Sequence, residues 1–544
     1  MHQLNRYGLL LVLLGSTLVG WIAASNDSLW IDEGRWAYAA MGVEGKVSRI
    51  DPSLRMWSDS RNWVRYSDPA KPFYGVFIRV WGKVFGYSER TLRLSNLPWL
   101  LVAQFALWAG LRNVPRLRNA TVLLVLASPI VWFYLNETSH YVMLFCGTCI
   151  VLGVLARLAT PEEGLQRLGG RWFWGFGAGS LLLCGSNAMG VPWAGAAFIA
   201  ALVLAAKRYK VQWTLSVLVP AALTGASMLL LARHYLIWNP TNSGIATGFG
   251  LGNLAFAAYE LLGFSGLGPS RLSMRGGGMA SVYPFVAGLA VLGILLSLVA
   301  WVAIRELRRR MSLRLWLTAS VYLLLSTGFI VLMSVLTQFR LLGRHLMPLE
   351  PVIILGAAVG VTALFKNGRN SGKLLACGFC TVWLASALSL RFATRHARDD
   401  YRSAASVAVD ALHSGKSVWW AADACTGEYY KVPLTDSSTA TGDALLAVNL
   451  EEKRIATLTL PDVVVLSKTD VYDASGTISK MVRERSYRNT RSFPAFTIWE
   501  KAPDSGAAGR EGEQAPRKSA ANVGECCIPL ACQEGSVAFG IYRL

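Results

Sequence analysis

Long apolar runs alternate with short basic segments along most of this chain. A membrane-crossing helix needs about 20 mostly apolar residues, and about eleven runs meet that standard, centred near Leu14, Val102, Val125, Val151, Leu182, Ala200, Leu223, Leu292, Leu325, Leu355 and Val382. From about Arg391 the pattern changes. Apolar runs shorten to strand length in "SVWWAADA", "DVVVLSK" and "AFTIWEK", separated by the helix-like "DDYRSAASVAVDALHSG" and "GTISKMVRERS". The pattern predicts a polytopic α-helical membrane region over 1–390, with a large loop at 26–90, and a small C-terminal α/β domain over 391–501. Residues 502–544, rich in Gly, Ala, Ser and charge, are expected to be disordered.

Composition supports that class. With 53% hydrophobic residues and 20 Trp in 544 positions, the chain is too apolar for an ordinary soluble protein. Short cytoplasmic loops collect Lys and Arg. Placing the N terminus in the cytoplasm puts Arg112, Arg116 and Arg118, then Arg157, Arg167 and Arg171, then Lys207, Arg208 and Lys210, then Arg305 to Arg314, then Lys366, Arg369 and Lys373 on the inside. The opposite loops mix both signs. The α/β domain is therefore expected outside, in the periplasm if the chain belongs to a bacterial inner membrane. The net charge of +20 reads as topology plus attraction to anionic lipid headgroups, and gives no reason to invoke nucleic acid. Cys146 and Cys149, like Cys377 and Cys380, have C-x-x-C spacing inside expected spans, where small thiols pack as apolar groups.

Candidate chemistry begins where the first run ends. "SLWIDEGRWAYAA" sets Asp32, Glu33 and Arg35 just past the expected membrane boundary. One charge at such a place is an ordinary interfacial anchor; a run of them is different. In a helix Asp32 and Arg35, three apart, share a face beside Trp36, and Glu33 points elsewhere. That arrangement offers a proton acceptor next to a fixed positive charge. Further along the loop, Lys71 precedes Pro72, and Phe73, Tyr74, Phe77, Ile78, Trp81 and Phe85 recur at helical spacing. The spacing predicts an interfacial helix with an aromatic face in lipid and Lys71 near the headgroups. The Gly-rich stretch Glu260 to Gly278, with Arg271 and Arg275, reads equally as a lid over a sugar site or as a plain connection.

Four segments, taken in order, resemble the GT-C-type polyprenyl-phosphate-dependent glycosyltransferases, which include the lipid A aminoarabinose transferases and protein O-mannosyltransferases. They are "DEGRWA", "KPFYGVFIRVWGKVFGYSERTLRL", "YLNETSHY" and "GRHLMPLEP". The resemblance implies transfer of a sugar from a polyprenyl-phosphate carrier to a lipid, glycan or protein acceptor on the outer face, with inversion at the anomeric carbon. Asp32 matches the acid that takes the attacking group's proton. Arg35, Lys71 and Arg344 match positions that hold the donor phosphate. Glu137 matches the second-loop acid that orients the acceptor or Asp32, and Glu33, in the catalytic set beside Asp32, is expected to be its supporting or structural partner. Tyr74, and His345 where the family usually has Tyr, complete the substrate-binding set. No nucleotide or organic cofactor is implied. A divalent metal is left open, with Ala70 standing where relatives carry an acid.

Two rival classes share the general layout. A lipid or solute transporter would show ionisable residues within its spans and broken helices at the midplane, whereas these charges cluster at the outer boundary. An outer-face polysaccharide polymerase or O-antigen ligase would use a diphosphate-linked donor, and the placement of the largest loop after the first span argues against it. The α/β domain shows no nucleophile with a paired base, and is expected to cap the active-site cavity.

Overall fold

Pro72, Pro115 and Pro129 each stand first in a helix, where a missing N–H costs nothing, and the apolar runs do the rest. The computed structural model describes residues 2–41, 71–159, 170–205, 215–237, 250–337, 340–366, 369–436 and 442–502. Ala70, the middle of the 26–90 loop, the basic cluster Lys207 to Lys210 and nearly all of the expected tail lie outside the described residues. The helices that matter below are α1 (His2–Ala23), α2 (Ile31–Met41), α3 (Pro72–Phe85), α4 (Glu89–Leu94), α5 (Leu97–Gly110), α6 (Pro115–Ala127), α7 (Pro129–Leu135), α8 (Tyr141–Ala159), α9 (Gly170–Ser186), α10 (Gly190–Ala205) and α11 (Leu215–Ile237). After them come α12 (Leu251–Leu261), α13 (Arg271–Gly277), α14 (Val286–Arg310), α15 (Leu313–Thr337), α16 (Glu350–Lys366), α17 (Asn370–Phe392), α18 (Tyr401–His413) and α19 (Ala424–Tyr429).

All eleven expected centres fall inside helices. Their lengths differ from the even pattern expected: five described helical stretches are long and apolar enough to cross a membrane, six if the bent pair α6–α7 is one span, and Tyr7–Ala23, Gly190–Leu204 and Ala221–Leu231 are shorter apolar helices. Large apolar side chains stand exposed on the long helices, among them Ile294, Trp301, Leu324 and Leu336. An apolar surface of that extent is stable only against lipid, so the chain is a multi-pass membrane protein.

Two breaks shape the site. Pro129 has no N–H to continue α6, so the chain bends by 53° between α6 and α7, and Ser128 Oγ accepts from the Val131 N–H to start the new helix. The turn that follows α7, Asn136 to His140, is buried. The second break is the 3₁₀ segment Gly343–Leu349, which contains Pro348 and leads straight into α16.

The C-terminal region forms a six-stranded sheet in the order β2-β3-β1-β4-β6-β5, with β1 (Val418–Ala421), β2 (Leu434–Thr435), β3 (Ala444–Leu446), β4 (Val463–Ser467), β5 (Tyr487–Phe493) and β6 (Phe496–Lys501). Strands β2, β3, β1 and β4 pair in parallel, while β6 pairs antiparallel with both β4 and β5. Every residue of β1 and β4 is buried, as a sheet covered on both faces requires. The sheet is continuous in packing with the helices, and Met1–Lys501 is one compact unit. The contact runs through α2 and α19. Gly34 of α2 lies so close to Thr426 of α19 that a Cβ there would stand 2.1 Å from Oγ1, and Tyr38 is buried in the same core as Tyr401 and Trp420.

Helix α3 carries the aromatic stripe expected, but the stripe is divided. Tyr74 and Ile78 pack with Leu29, Trp36, Leu92 and Met143, while Phe73, Val80, Val84 and Phe85 are exposed. The side expected in lipid is half-committed to α2. The cause is tertiary: α2 presents Trp36, whose ring meets Tyr74 edge-on at 4.8 Å.

Candidate active site

The first turn of α2 sorts its two acids to different neighbours. Asp32 and Glu33 both lie where the helix N-terminus favours negative charge, yet they point apart. Glu33 is fully buried. Its Oε2 accepts from the Trp30 N–H at 3.3 Å, closing the helix start from within. Arg93 of α4 grips it with two bonds, Nε to Oε1 at 2.8 Å and Nη2 to Oε2 at 2.7 Å, and the Thr138 N–H donates to Oε1 at 2.8 Å. Arg93 spends its remaining donors on Ser25, on the Asp27 carbonyl and on the Ser28 carbonyl. Burial would raise the Glu33 carboxyl, but Arg93, Arg398 and the Thr138 N–H hold it below its ordinary value. With both oxygens taken, Glu33 fixes the entry to α2.

Asp32 is partly exposed, and Arg344 of the 3₁₀ segment donates Nη1–H to its Oδ2 at 2.9 Å. This brings together two residues 312 positions apart. Burial would raise the carboxyl of Asp32, and the charges of Arg344, Arg35 and Lys71 outweigh it, so it stays ionised. Lys71 sits just before α3 with its ammonium 5.6 Å from the Trp36 ring centroid.

Arg35 goes elsewhere. Its Nε donates to Asp423 Oδ1 at 2.9 Å, and Asp423 raises its proton affinity against the opposing effect of burial. Asp423 also caps α19, accepting from the Thr426 N–H and hydroxyl at 2.9 Å and 2.7 Å. Arg35 thus joins α2 to the carboxyl end of β1, while remaining near enough to act on Asp32 through charge.

Glu137 occupies the buried turn between α7 and α8, 1% exposed. Neither of its carboxylate oxygens has a hydrogen-bond partner among the described residues. The guanidinium of Arg398 lies 3.6 Å from it and 3.4 Å from Glu33, so one cation is shared between two acids. Burial, then the charges of Glu33 and Asp32, outweigh Arg398 and Arg271 and push Glu137 up to about 7. Next to it, His140 is driven well below its ordinary value by burial and by Lys71, Arg344 and His345. It is therefore neutral. The Asn187 amide orients its Oδ1 toward the Met189 N–H and its Nδ2 toward His140 Nε2 at 2.6 Å, which makes Nε2 the acceptor.

Two expected binding residues stand back from this surface. Tyr74 is fully buried behind Trp36 and His140. His345 Nδ1 accepts from the Leu342 N–H at 3.1 Å and shapes the 3₁₀ turn that presents Arg344. Several residues that carry the geometry were not singled out by pattern. Arg93 and Arg398 lie in "TLRL" and "TRHARDD", where neither residue type nor spacing names the eventual acid partner. Glu260 accepts from the Gly343 N–H at 2.9 Å and pairs with Arg271, so α12 steadies the Arg344 segment. Arg271 and Arg398 flank the Phe133 ring, at 4.4 Å and 4.8 Å. The Gly-rich stretch is built of short helices, and Arg275 pairs with Asp470 of the α/β region at 2.8 Å.

A divalent metal needs several oxygen ligands converging on one point. Among the described residues no group of three or more His, Cys, Asp or Glu converges so, and Asp32 faces cations instead. The described residues do not fit such an ion.

Likeness to solved structures shows that the fold is of the GT-C type. The chain is similar to ArnT from Cupriavidus metallidurans in its apo state, with a TM-score of 0.51 and 14% identity over 92% of this chain and 100% of that one. It is also similar to ArnT from the same organism bound to undecaprenyl phosphate (TM-score 0.48, 12% identity, 91% and 98% covered). A third similar structure is the arabinofuranosyltransferase AftD from Mycobacteria (TM-score 0.40, 13% identity), covering 92% of this chain and 40% of that one. No family model matches the chain, and no curated protein matches it either.

Proposed function

We propose that the chain is an integral membrane glycosyltransferase that moves a sugar from a polyprenyl-phosphate carrier to a lipid, glycan or protein acceptor at the outer face of a bacterial inner membrane. The observation that carries this reading is the Asp32–Arg344 pair at the start of α2, with Lys71 beside it. A carrier phosphate has about one negative charge and approaches two as the glycosidic bond breaks, so cations placed there favour the transition state. Arg344 offers a planar fork to the phosphate, and Lys71 a point charge.

The pair also supplies a timing. With no donor bound, Arg344 holds Asp32 ionised and occupied. A phosphate that takes over the guanidinium removes that counter-charge from Asp32, whose carboxylate then becomes the stronger base just as the acceptor arrives. The acceptor heteroatom attacks the anomeric carbon, its proton passes to Asp32, and the carbon–oxygen bond to phosphate breaks with its electrons going to the carrier. Direct attack inverts the anomeric centre. Glu137, whose oxygens accept no hydrogen bond among the described residues and whose carboxyl is pushed up to about 7, is suited to orient the acceptor or Asp32.

Mass analysis of envelope lipids, glycans and proteins from cells making the wild-type chain or Asp32→Asn tests this. A sugar increment present with the wild type and absent with the variant is expected, because loss of a positioned base costs about 10² to 10⁴ in rate. An increment unchanged by Asp32→Asn in folded protein would return Asp32 to the role of an anchor.

A further inference from the structure

Helices α6, α16 and α17 pack together and leave a groove of about 700 Å³ between them. Its wall is apolar along most of its length, with Leu123, Ala127, Val361 and Leu384. Its mouth is not: Arg116 and Lys366 lie there, both exposed. Neither is paired with a carboxylate among the described residues. Their neighbour Arg118 is already committed, stacking on Trp108 at 3.8 Å.

The groove has a definite depth and polarity. Its upper limit is set by Ala127, next to the Ser128–Glu350 hydrogen bond of 2.7 Å that ties the α6–α7 break to the start of α16. Helix α6 is 13 residues long, so the groove runs for about 18 Å, against about 15 Å for one leaflet's half of the hydrocarbon core. Lys366 ends the 17-residue helix that begins at Glu350, which sets the mouth about 24 Å from the Arg344 end of the bundle.

We propose that this groove binds an anionic membrane glycerophospholipid, with its phosphate between Arg116 and Lys366 and an acyl chain along Leu123 and Leu384. Charge decides the occupant. The tail of a polyprenyl carrier whose phosphate sits at Arg344 would reach this mouth with its apolar end, which has no use for two cations. A zwitterionic lipid gains little from them. Basic pockets between helices on the cytoplasmic side are a known way to hold anionic headgroups, and the groove adds a slot for one chain. The inference is independent of the transfer reaction.

Native mass spectrometry of the purified full-length chain, titrated with phosphatidylglycerol, with phosphatidylcholine and with polyprenyl phosphate, tests it. One phosphatidylglycerol should be retained in preference to phosphatidylcholine, and Arg116→Gln with Lys366→Gln should weaken it about thirty-fold, the combined effect of two juxtamembrane cations. Ala127→Trp, which keeps both charges and fills the apolar end, should weaken it as well, and stands alone if the double variant fails to fold. Equal retention of phosphatidylcholine, retention of phosphatidylglycerol unchanged by these variants, or competition by polyprenyl phosphate at this mouth would each overturn the assignment.

Discussion

Glu137 should make this protein lose stability as pH rises through the range where most proteins are at ease. In the unfolded chain its carboxyl titrates near 4.5, and in the fold near 7. Between those values the folded state binds more protons than the unfolded one, so stability falls with rising pH across the window and is flat on either side of it. Each tenfold change in proton affinity is worth about 1.4 kcal/mol, so the whole effect approaches about 3 kcal/mol. Its source is visible: a 1% exposed acid, oxygens without hydrogen bonds, two ionised acids nearby and one cation shared with Glu33. Glu137→Gln removes the charge and keeps the shape. Denaturation of detergent-solubilised wild type and variant, run from about pH 4 to 8.5, isolates by difference the contribution of Glu137 and its charge coupling to Glu33 and Asp32, since groups distant from it cancel. The two should be nearly equal at the acid end, and the variant should gain steadily up to about pH 7. Parallel curves would show that Glu137 titrates as an ordinary carboxylate and that the buried cluster has been misread.

Arg344→Lys keeps the charge but loses the planar fork, and with one charge-assisted hydrogen bond gone donor affinity should fall about ten- to a hundredfold in a carrier-binding assay; unchanged binding would remove Arg344 from the phosphate site. Gly34→Ala forces a methyl into Thr426, at a cost of about 1–3 kcal/mol, so melting should drop and Thr426→Ala should restore part of it; additive losses would mean that α2 and α19 do not touch in solution. Reporter fusions after Lys366 and after Ser414 should report opposite sides of the membrane, and matching signals would break the proposed topology.

The helices themselves were readable because lipid imposes a simple rule: an apolar run must satisfy its backbone internally, and a helix does this with its own residues. Leu14, Val151 and Val382 therefore fall inside helices without any knowledge of their neighbours. The shift to short strands beyond Arg391 was equally local, and so was the amphipathic α3. Partner choice was not. Whether the acid after the first span would be free or locked depended on which guanidinium reached it, and those lie far along the chain: Arg93 for Glu33, Arg344 for Asp32, and Asp423 for Arg35. Two adjacent carboxylates, alike in sequence, end as a structural clamp and a candidate base because a helix turns them about 100° apart toward different parts of the fold. Burial divided the aromatic stripe of α3 in the same way, sending Tyr74 inward against Trp36. Charge pairing and burial are properties of position in space, so residue type and spacing named the chemistry available to this chain, and only its tertiary structure decided which groups were left able to perform it.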